Sequence, residues 1–223
     1  ELDPIVETFI LKIIGWALRI LLFVTVLSQL GVVTTSFAAI LGAVGLAIGL
    51  SLQGSLSNFA GGVMIFLFKP FKIGDFIEAG GIAGIVEKIE VFNTIFRSGD
   101  NKEIIVPNAQ IYGGTITNYS ARATRRIDLV VGIGYDDDMK KAHSLILEVL
   151  NNDERILKEP AAVVAVSELG DSSVDFVVRP WVATGDYWPT RWAITEAIKE
   201  SFDANGVSIP FPQQDVHMHT VSK

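Results

Sequence analysis

The sequence contains few clusters of the side chains that usually perform catalysis or bind metal ions. The adjacent aspartates Asp136, Asp137 and Asp138 lack the alternating spacing and the glycine of a calcium loop, and they suit the start of a helix. His217 and His219 would face the same side of a strand as a possible metal pair, but no further ligand is evident nearby. We therefore predict no metal site and no cofactor.

Sequence patterns of common enzyme classes are also missing. The GxSxG, HExxH and GxxxxGK[ST] patterns do not occur, and the absence of cysteine removes thiol catalysis, disulfides and thiolate metal sites. The glycines from Gly42 to Gly49 have the spacing GxxGxxxG and follow no strand, which argues against a dinucleotide-binding loop. The net charge of -7 argues against nucleic acid as the main partner. We predict a protein that is not an enzyme.

A long apolar stretch dominates the N-terminal part of the chain. No charged residue occurs from Ile20 to Phe68, a length that can cross a bilayer twice. We predict one helix from about Ile5 to Leu30 and a second from about Phe37 to Phe68, joined at Gly31 as an antiparallel hairpin. The capping residues of the second helix are expected among Thr34, Thr35 and Ser36.

The first predicted helix carries two cations, Lys12 and Arg19. They are seven residues apart and hence on one face of the helix. Either side chain could snorkel toward one membrane interface or line a polar seam. Lys69 and Lys72, just after the second helix, favour a cytoplasmic location for that end.

The second predicted helix has four distinct faces. At about 100° per residue, Leu46 and Leu50 lie within about 20° of Ala39 and form a narrow apolar front. A glycine groove on one flank is formed by Gly42, Gly45 and Gly49. An alanine ridge on the other flank is formed by Ala43 and Ala47, and the rear is bulky.

A ridge and a groove on opposite flanks suit a ring of copies in which each ridge enters the neighbour's groove. Leu46 and Leu50 would then form two apolar girdles that stop water and ions by dewetting. The same pattern fits an ordinary membrane helix with a GxxxG-type pair, and it leaves both interpretations open. Gln53 and Gly54 interrupt the apolar rhythm and predict a kink.

The remainder of the chain has the patterns of two small domains and a last strand. Four or five short strands predict a small all-β domain over residues 69–122, in which Ile82 to Ile95 alternates apolar and polar residues for much of its length. The order β-α-β-β-α predicts a ferredoxin-like α+β domain over residues 123–210. Its predicted elements are a strand Arg125–Gly134, a helix from the aspartates to Leu150, a hairpin of Ala161–Leu169 and Ser173–Val182, and a helix Tyr187–Asn205. A final strand is predicted from Asp215 to Val221.

The segment from Leu41 to Phe59, LGAVGLAIGLSLQGSLSNF, closely resembles the pore helix of the bacterial small-conductance mechanosensitive channel family. The resemblance continues through Phe68–Asp75, Val106–Asn108 and Pro210–Gln213. It implies a homoheptamer in the inner membrane, with three membrane helices per subunit and a hollow cytoplasmic vestibule of β and α+β domains. It also implies that residues 211–223 form an oligomeric β-barrel. The first family helix has no counterpart here, so the chain, which starts at Glu1, is expected to be a fragment with residues 1–68 supplying the second and third helices.

The resemblance also implies roles for individual residues. Leu46 and Leu50 match the two leucine rings of the closed gate. The helix-packing positions matched are Ala39, Gly42, Ala43, Gly45, Ala47 and Gly49. The positions matched for the kink, closing and inactivation are Gln53, Gly54, Asn58 and Gly62. Arg19 departs from the usual family pattern.

The function expected from the resemblance is a channel opened by membrane tension that releases ions and small osmolytes on hypoosmotic shock. Its partners would be copies of itself, membrane lipids and the permeating solutes. A membrane-anchored binding module without conductance is the alternative. A secondary transporter would need inverted repeats, and the sequence shows no second apolar hairpin.

Overall fold

The computed structural model describes residues 4–31 and 33–219. Within them the chain forms two compact units built from interleaved stretches. The first unit comprises the chain up to Lys69 together with Lys88–Phe96 and Glu103–Thr115. The second unit comprises Pro70–Glu87, Arg97–Lys102 and the chain from Ile116 onward. The domain boundaries at residues 68, 122 and 210 stay predictions.

The N-terminal helical part begins with helix α1, Pro4–Gln29, which agrees with the predicted helix to within one residue at each end. Gly31 ends the turn with φ of +81°, a conformation that glycine adopts at little cost. Helix α2 runs from Thr35 to Ser51 and has Thr34 as its N-cap residue. The prediction of a side-chain cap is wrong at that residue, because the Thr34 side chain makes no capping hydrogen bond.

The second predicted helix is divided in two. Helix α3, Gln53–Phe68, follows α2 after a bend of 60°. The residue between the two helices is Leu52, whose ψ of 1° leaves the helical range, so the bend falls one residue before the predicted Gln53-Gly54 pair. Leu11–Gln29 is long and apolar enough to span a membrane, and the bent α2–α3 pair passes the same test of length and composition as one broken span.

The next part of the chain forms five strands and one short helix. The sheet has the order β4-β3-β2-β1-β5. The strands are β1 Phe76–Ala79, β2 Ile82–Ile89, β3 Asn93–Arg97, β4 Glu103–Pro107 and β5 Thr117–Asn118. The predicted alternation over Ile82–Ile95 is interrupted, because residues 90–92 form a turn between β2 and β3. Helix α4, Asn108–Tyr112, was not predicted, since Pro107-Asn108 indicated only a break.

The C-terminal part of the second unit is an α+β structure. Its strands are β6 Thr124–Arg126, β7 Leu129–Ile133, β8 Val163–Leu169, β9 Val174–Arg179 and β10 Trp181–Ala183, and its helices are α5 Met139–Asn152 and α6 Tyr187–Asn205. Strand β9 lies between β7 and β8 and is antiparallel to both. The single strands predicted over Arg125–Gly134 and Ser173–Val182 are wrong. Each is broken in two, and the outer pieces, β6 and β10, pair with each other in a separate ribbon.

The two helices of this part cover a common apolar core. Phe176 on β9, Ile146 on α5 and Phe202 on α6 are almost fully buried in it. Helix α6 has the predicted bounds and ends at Gly206, whose φ is +65°. The predicted helix start at the aspartates is confirmed, because Asp138 caps α5 by accepting hydrogen bonds from the backbone N–H groups of Lys140 and Lys141.

Asp137 holds the chain that follows α6. Its Oδ2 accepts hydrogen bonds from the Ser208 hydroxyl at 2.6 Å and from the backbone N–H groups of Ser208 and Gly134, each at 2.9 Å. The hydrogen bond from the Ser208 side chain is the main cause that lowers the pKa of Asp137 below its ordinary value. The first residues after α6 are thereby fixed to the loop before α5.

The predicted C-terminal strand is not formed within the described part of its range. Residues 207–219 have no regular secondary structure, and residues 220 and 221 lie outside the described residues. In a barrel the partner strands would belong to other copies of the chain, so the barrel of residues 211–223 stays a prediction. Among the described residues, which include His217 and His219, no group of three His, Cys, Asp or Glu side chains could hold a metal ion.

Candidate functional site

Helix α2, which carries the predicted gate and packing residues, is open on all sides within the described structure of the single chain. None of its residues is buried. The side chains of Leu46 and Leu50 are 65% and 63% exposed. Ala39, Ala43 and Ala47 are exposed as well. No part of the described chain therefore covers the apolar surface of this uncharged helix.

The glycines of α2 are not explained by packing against any described part of the chain. A Cβ atom placed on Gly42, Gly45 or Gly49 would meet no atom within 4 Å. Glycine inside a helix lowers its stability by about 0.5–1 kcal/mol relative to alanine. The groove therefore reduces the stability of α2 without any compensating contact in the single chain.

Helix α3, in contrast to α2, has crowded glycines where it packs against α4. Gly61 and Gly62 are both buried. A Cβ atom on Gly61 would lie 2.8 Å from the carbonyl carbon and oxygen of Asn108, and one on Gly62 would lie 2.4 Å from the Val91 carbonyl oxygen. Real Cβ atoms essentially never come that close to backbone atoms. Only glycine at both positions allows this approach, which we call the α3–α4 junction.

Asn58 connects the junction to the helical bend. Its Nδ2 donates to the carbonyl oxygen of Gly54 at 3.0 Å, one turn back in α3. Its Oδ1 accepts a hydrogen bond from the backbone N–H of Ala109 at 2.9 Å. Ala109 is in the first turn of α4, where backbone N–H groups have no partner within the helix. One carboxamide thus joins the start of α3 to the start of α4.

Asn108 organises the other side of the junction and is fully buried. Its Oδ1 accepts a hydrogen bond from the Thr94 hydroxyl at 2.8 Å, and Thr94 is also fully buried. Its Nδ2 donates to the carbonyl oxygens of Glu90 at 2.9 Å and Val91 at 3.1 Å. Every hydrogen-bonding group of this side chain except one lone pair of its oxygen is therefore occupied. Asn108 fixes the 90–92 turn against which Gly62 packs.

Two further contacts support the same turn. The rings of Phe59 on α3 and Phe92 lie 6.3 Å apart between centroids. The Glu90 carboxylate accepts hydrogen bonds from the Lys88 ammonium and from Asn93 Nδ2. The hydrogen bond from Lys88 is the main cause that lowers the pKa of Glu90. The turn is held through its backbone, its charged side chain and its aromatic ring.

The structure thus divides the predicted site residues into two groups. Asn58 and Gly62 are brought together in the α3–α4 junction. The gate and packing residues of α2 are not brought into contact with other parts of the described chain in a comparable way, and Gly54 has open space around its Cβ position. Gln53 and Gly54 adjoin the bend at Leu52, and a role for them in the kink stays a prediction.

Sequence reasoning missed Gly61, Thr94 and Asn108 as functional residues. Two signals were available. The adjacent Gly61-Gly62 pair stands in an otherwise bulky helix, and Pro107-Asn108 ends a strand with a polar residue. Neither signal identifies the partner, because Thr94 on β3 and Asn108 on α4 are 14 residues apart in sequence and meet only in the folded chain.

Comparison with known proteins agrees with this architecture. The sequence matches the family described as "Mechanosensitive ion channel, beta-domain" over residues 54–121 and the family described as "Mechanosensitive ion channel MscS, C-terminal" over residues 127–209. An uncharacterized MscS family protein of Synechocystis is 46% identical over 218 residues, covering 98% of this chain and 74% of the relative.

Relatives that are named as channels have similar levels of sequence identity to this chain. The small-conductance mechanosensitive channel of Edwardsiella ictaluri is 44% identical over 181 residues, covering 81% of this chain and 63% of the relative. The small-conductance mechanosensitive channel of Helicobacter pylori is 36% identical over 215 residues, covering 96% of this chain and 78% of the relative.

Solved structures give the same result. The crystal structure of Helicobacter pylori MscS in the closed state superposes with a TM-score of 0.89 at 35% identity, covering 98% of this chain and 87% of the other. Arabidopsis thaliana MSL1, at 21% identity and a TM-score of 0.76 over 90% of this chain and 74% of the other, shares the fold. The apolar bent helix, the β domain and the α+β domain occur in the order of these proteins, and the chain belongs to the MscS family of mechanosensitive ion channels.

Proposed function

We propose that this protein is opened by membrane tension and releases ions and small osmolytes during hypoosmotic shock. It would act as a homoheptamer in a bacterial inner membrane, with the β and α+β domains in the cytoplasm. The relatives named small-conductance mechanosensitive channels support this function. Lys69 and Lys72, at the end of α3, support the cytoplasmic location of the domains that follow.

The observation that carries the proposal is the open surface of α2. The helix is uncharged, has no buried residue and leaves space beside each of its three central glycines. In a ring of copies, the alanine ridge of Ala43 and Ala47 would fill the glycine groove of the next subunit. The residues that lower the stability of α2 in isolation would then be those that allow the closest helix packing.

The front of α2 would form the gate. In such a ring, Leu46 and Leu50 point toward the axis and make two apolar girdles one helical turn apart. A narrow apolar ring excludes water, and ions cannot pass without their hydration. The closed pore would therefore be blocked by dewetting, and opening would require the girdles to separate enough to become wet.

Membrane tension would act on the in-plane area of the channel. Stretch favours the state with the larger in-plane area, by an amount equal to the tension multiplied by the difference in area between the states. Small tilts of α2 in every subunit would add up to a large area change. Since α3 is fixed to α4 by the junction, the bend at Leu52 is the natural pivot, and Asn58 would link its movement to closing and inactivation.

A pressure ramp on patches of liposomes that contain the protein tests the proposal. We expect stepwise currents evoked by suction. Leu50→Ser should open at lower tension, because a hydroxyl makes wetting of the girdle easier, and Leu46→Ser should act in the same direction. Leu41→Ser is the matched control, because Leu41 lies on the rear of the same helix and its replacement should leave the threshold close to that of the wild type.

Two results would count against the proposal. An unchanged threshold in Leu50→Ser would remove Leu50 from the gate. Absence of current from a well-folded oligomer would favour the membrane-anchored module without conductance.

A further inference from the structure

Strand β7 has an open edge in the α+β part of the chain. The three-stranded sheet has the order β7-β9-β8, so within the described residues β7 pairs with a strand on one side only. A groove of about 350 Å³ lies between β7 and helix α6. We call it the β7–α6 groove, and the residues that line it include Leu129, Val130 and Gly132 on β7, Ile198 on α6, and Ile209 after α6.

The β7–α6 groove suits an apolar occupant. Its lining is mainly apolar, and Val130 is 67% exposed in the single chain. The polar side chains of α6 at the groove already have partners. The Thr195 hydroxyl donates to the carbonyl oxygen of Arg191 at 2.7 Å, and Lys199 forms an ion pair with Asp203. The remaining apolar surface is stabilised when another apolar group removes it from water.

The segment that follows α6 carries an exposed apolar side chain close to this groove in sequence. Phe211 comes two residues after Ile209 and is 83% exposed, so it does not occupy the groove of its own chain. Pro210 and Pro212 stand on either side of it. Each proline fixes its own φ and restricts the residue before it to extended conformations. The backbone of Phe211 therefore has little freedom.

The segment around Phe211 is also held at both ends. Ser208 is bound by Asp137, as described above. The backbone N–H of Gln213 donates to Ser172 Oγ, in the turn between β8 and β9, at 3.0 Å. The Gln213 side chain donates to the carbonyl oxygen of Phe211 at 2.8 Å. Because the segment is ordered before any partner binds, burial of its phenyl ring loses little conformational entropy.

The Phe211 side chain and the β7–α6 groove are different surfaces of the same chain. A contact between them in two copies is therefore head-to-tail, and contacts of this type repeat from copy to copy and close into a ring when the rotation allows. The alanine ridge and the glycine groove of α2 need the same head-to-tail order in the proposed ring. A second copy is thus the occupant that fits both parts of the chain.

We propose that Phe211 of one copy inserts into the β7–α6 groove of the next copy. The phenyl ring packs against Val130 and Ile198, and the rigid segment 208–213 sets its direction. The site is complete only when a second copy supplies the ring. It joins the α+β parts of neighbouring copies independently of α2. The inference rests on the assembly of copies in the proposed function.

Photochemical cross-linking of the full chain tests this site. Phe211 is replaced by benzoylphenylalanine, which keeps an aromatic side chain and on irradiation bonds to a C–H group in contact with it. The protein is irradiated in detergent, a denaturing gel separates linked copies from single chains, and mass spectrometry identifies the linked peptides. Met218, which is 90% exposed in the same C-terminal segment, is replaced in the same way as the matched control.

We expect multimers in which position 211 is linked to the β7 or α6 peptide of the groove. Val130→Glu in the same chain should reduce the yield of this link about tenfold or more, because the ring would have to remove water from a carboxylate. Val163→Glu is the control, because Val163 is exposed on β8 at the opposite edge of the same sheet and its replacement should leave the yield unchanged. Position 218 should give no link to the groove.

Links confined to single chains, links to a surface other than the groove, or no link at all would overturn the site. The same yield in Val130→Glu as in the parent chain would overturn it as well. These readouts do not depend on conductance. Normal tension-evoked currents without a link to the groove would contradict only the Phe211 site, and a link to the groove without currents would support the site and contradict the proposed channel activity.

Discussion

Two groups of glycines in the helical part of the chain serve opposite purposes. On α2, a Cβ atom at Gly42, Gly45 or Gly49 would meet nothing within 4 Å. On α3, a Cβ atom at Gly61 or Gly62 would lie within 2.8 Å of backbone atoms. The residue type is the same in both helices. The space around it differs completely.

The crowded glycines of α3 make contacts within one chain, whereas the open glycines of α2 are free for contacts with other copies in the proposed ring. The glycines of α3 are necessary for the folded subunit, because α4 and the 90–92 turn pack directly on the helix backbone. The glycines of α2 have no such neighbour, and in the proposed ring they are necessary only for assembly and opening. Substitutions in the two groups should therefore have different effects on different measurements.

The largest effect is expected for Gly62→Ala. The added methyl group would collide with the Val91 carbonyl oxygen at 2.4 Å and with Asn108 Nδ2 at 2.6 Å. We expect a loss of about 1–3 kcal/mol in the stability of the α3–α4 junction, the usual range for overpacking. Hydrogen exchange of the α4 amides should rise accordingly. Gly54→Ala, in the same helix with nothing near its Cβ position, should show no such increase, and equal exchange in the two variants would contradict the steric interpretation.

Asn108→Ala should have the next largest effect. It removes three hydrogen bonds from a buried side chain and leaves the Thr94 hydroxyl and two carbonyl oxygens without their partner, which costs about 1–3 kcal/mol. Asn58→Ala removes a single hydrogen bond to the α4 backbone and should cost less, about 0.5–1.5 kcal/mol. Hydrogen exchange over residues 90–94 and 108–112 measures both. A larger effect for Asn58→Ala than for Asn108→Ala would reverse the ranking argued from burial.

Gly45→Val tests the other side of the comparison. The bulk would fill the proposed groove and impede opening, so the pressure threshold in patch recordings should rise or currents should disappear. Exchange at the α3–α4 junction should stay at the wild-type level, since Gly45 has no intrachain neighbour there. Ser51→Val adds similar bulk toward the rear of α2 and serves as the control. Normal gating in Gly45→Val would refute the ring-packing hypothesis.

The smallest effect is expected at Asp137, outside both glycine groups. Its pKa is lowered in the folded state, chiefly by the hydrogen bond from Ser208, so its contribution to stability is present at neutral pH. That contribution is lost as the pH falls below the ordinary aspartate pKa of about 4 and through the lower folded value. Asp137→Asn should weaken this acid dependence in thermal unfolding followed by tryptophan fluorescence. Asp136→Asn is the control, and an equal change in both variants would contradict a specific role of Asp137.

Much of the fold was predictable because it depends on local patterns. The absence of charge from Ile20 to Phe68 predicted the apolar helices, and the interruption at Gln53-Gly54 predicted the bend to within one residue. The bounds of α6 followed from its periodicity and from Gly206. The breaks inside Arg125–Gly134 and Ser173–Val182 were missed, because β6 and β10 form their own ribbon and nothing in the local alternation marks where the pairing partner changes.

The candidate site was predictable only in part. Asn58 and Gly62 were identified through the family resemblance, and the structure adds what they contact. Helix α4 was missed, because five residues after a proline give too short a pattern to recognise. Arg19 was recognised in the sequence as a departure, but its contact with Trp16 required the structure.

The sequence by itself determined the division into an apolar helical part and a charged remainder, the four faces of α2, and the order of the β and α+β domains. These features depend on hydropathy and on periods of two or 3.6 residues, which neighbouring residues carry together. Only the tertiary structure decided which glycines are crowded and which are open, and that Asn108 fixes the turn beneath Gly62. Those facts depend on atoms brought together from distant positions, such as Asn58 and the Ala109 backbone at a separation of 51 residues, and no local pattern specifies such a meeting.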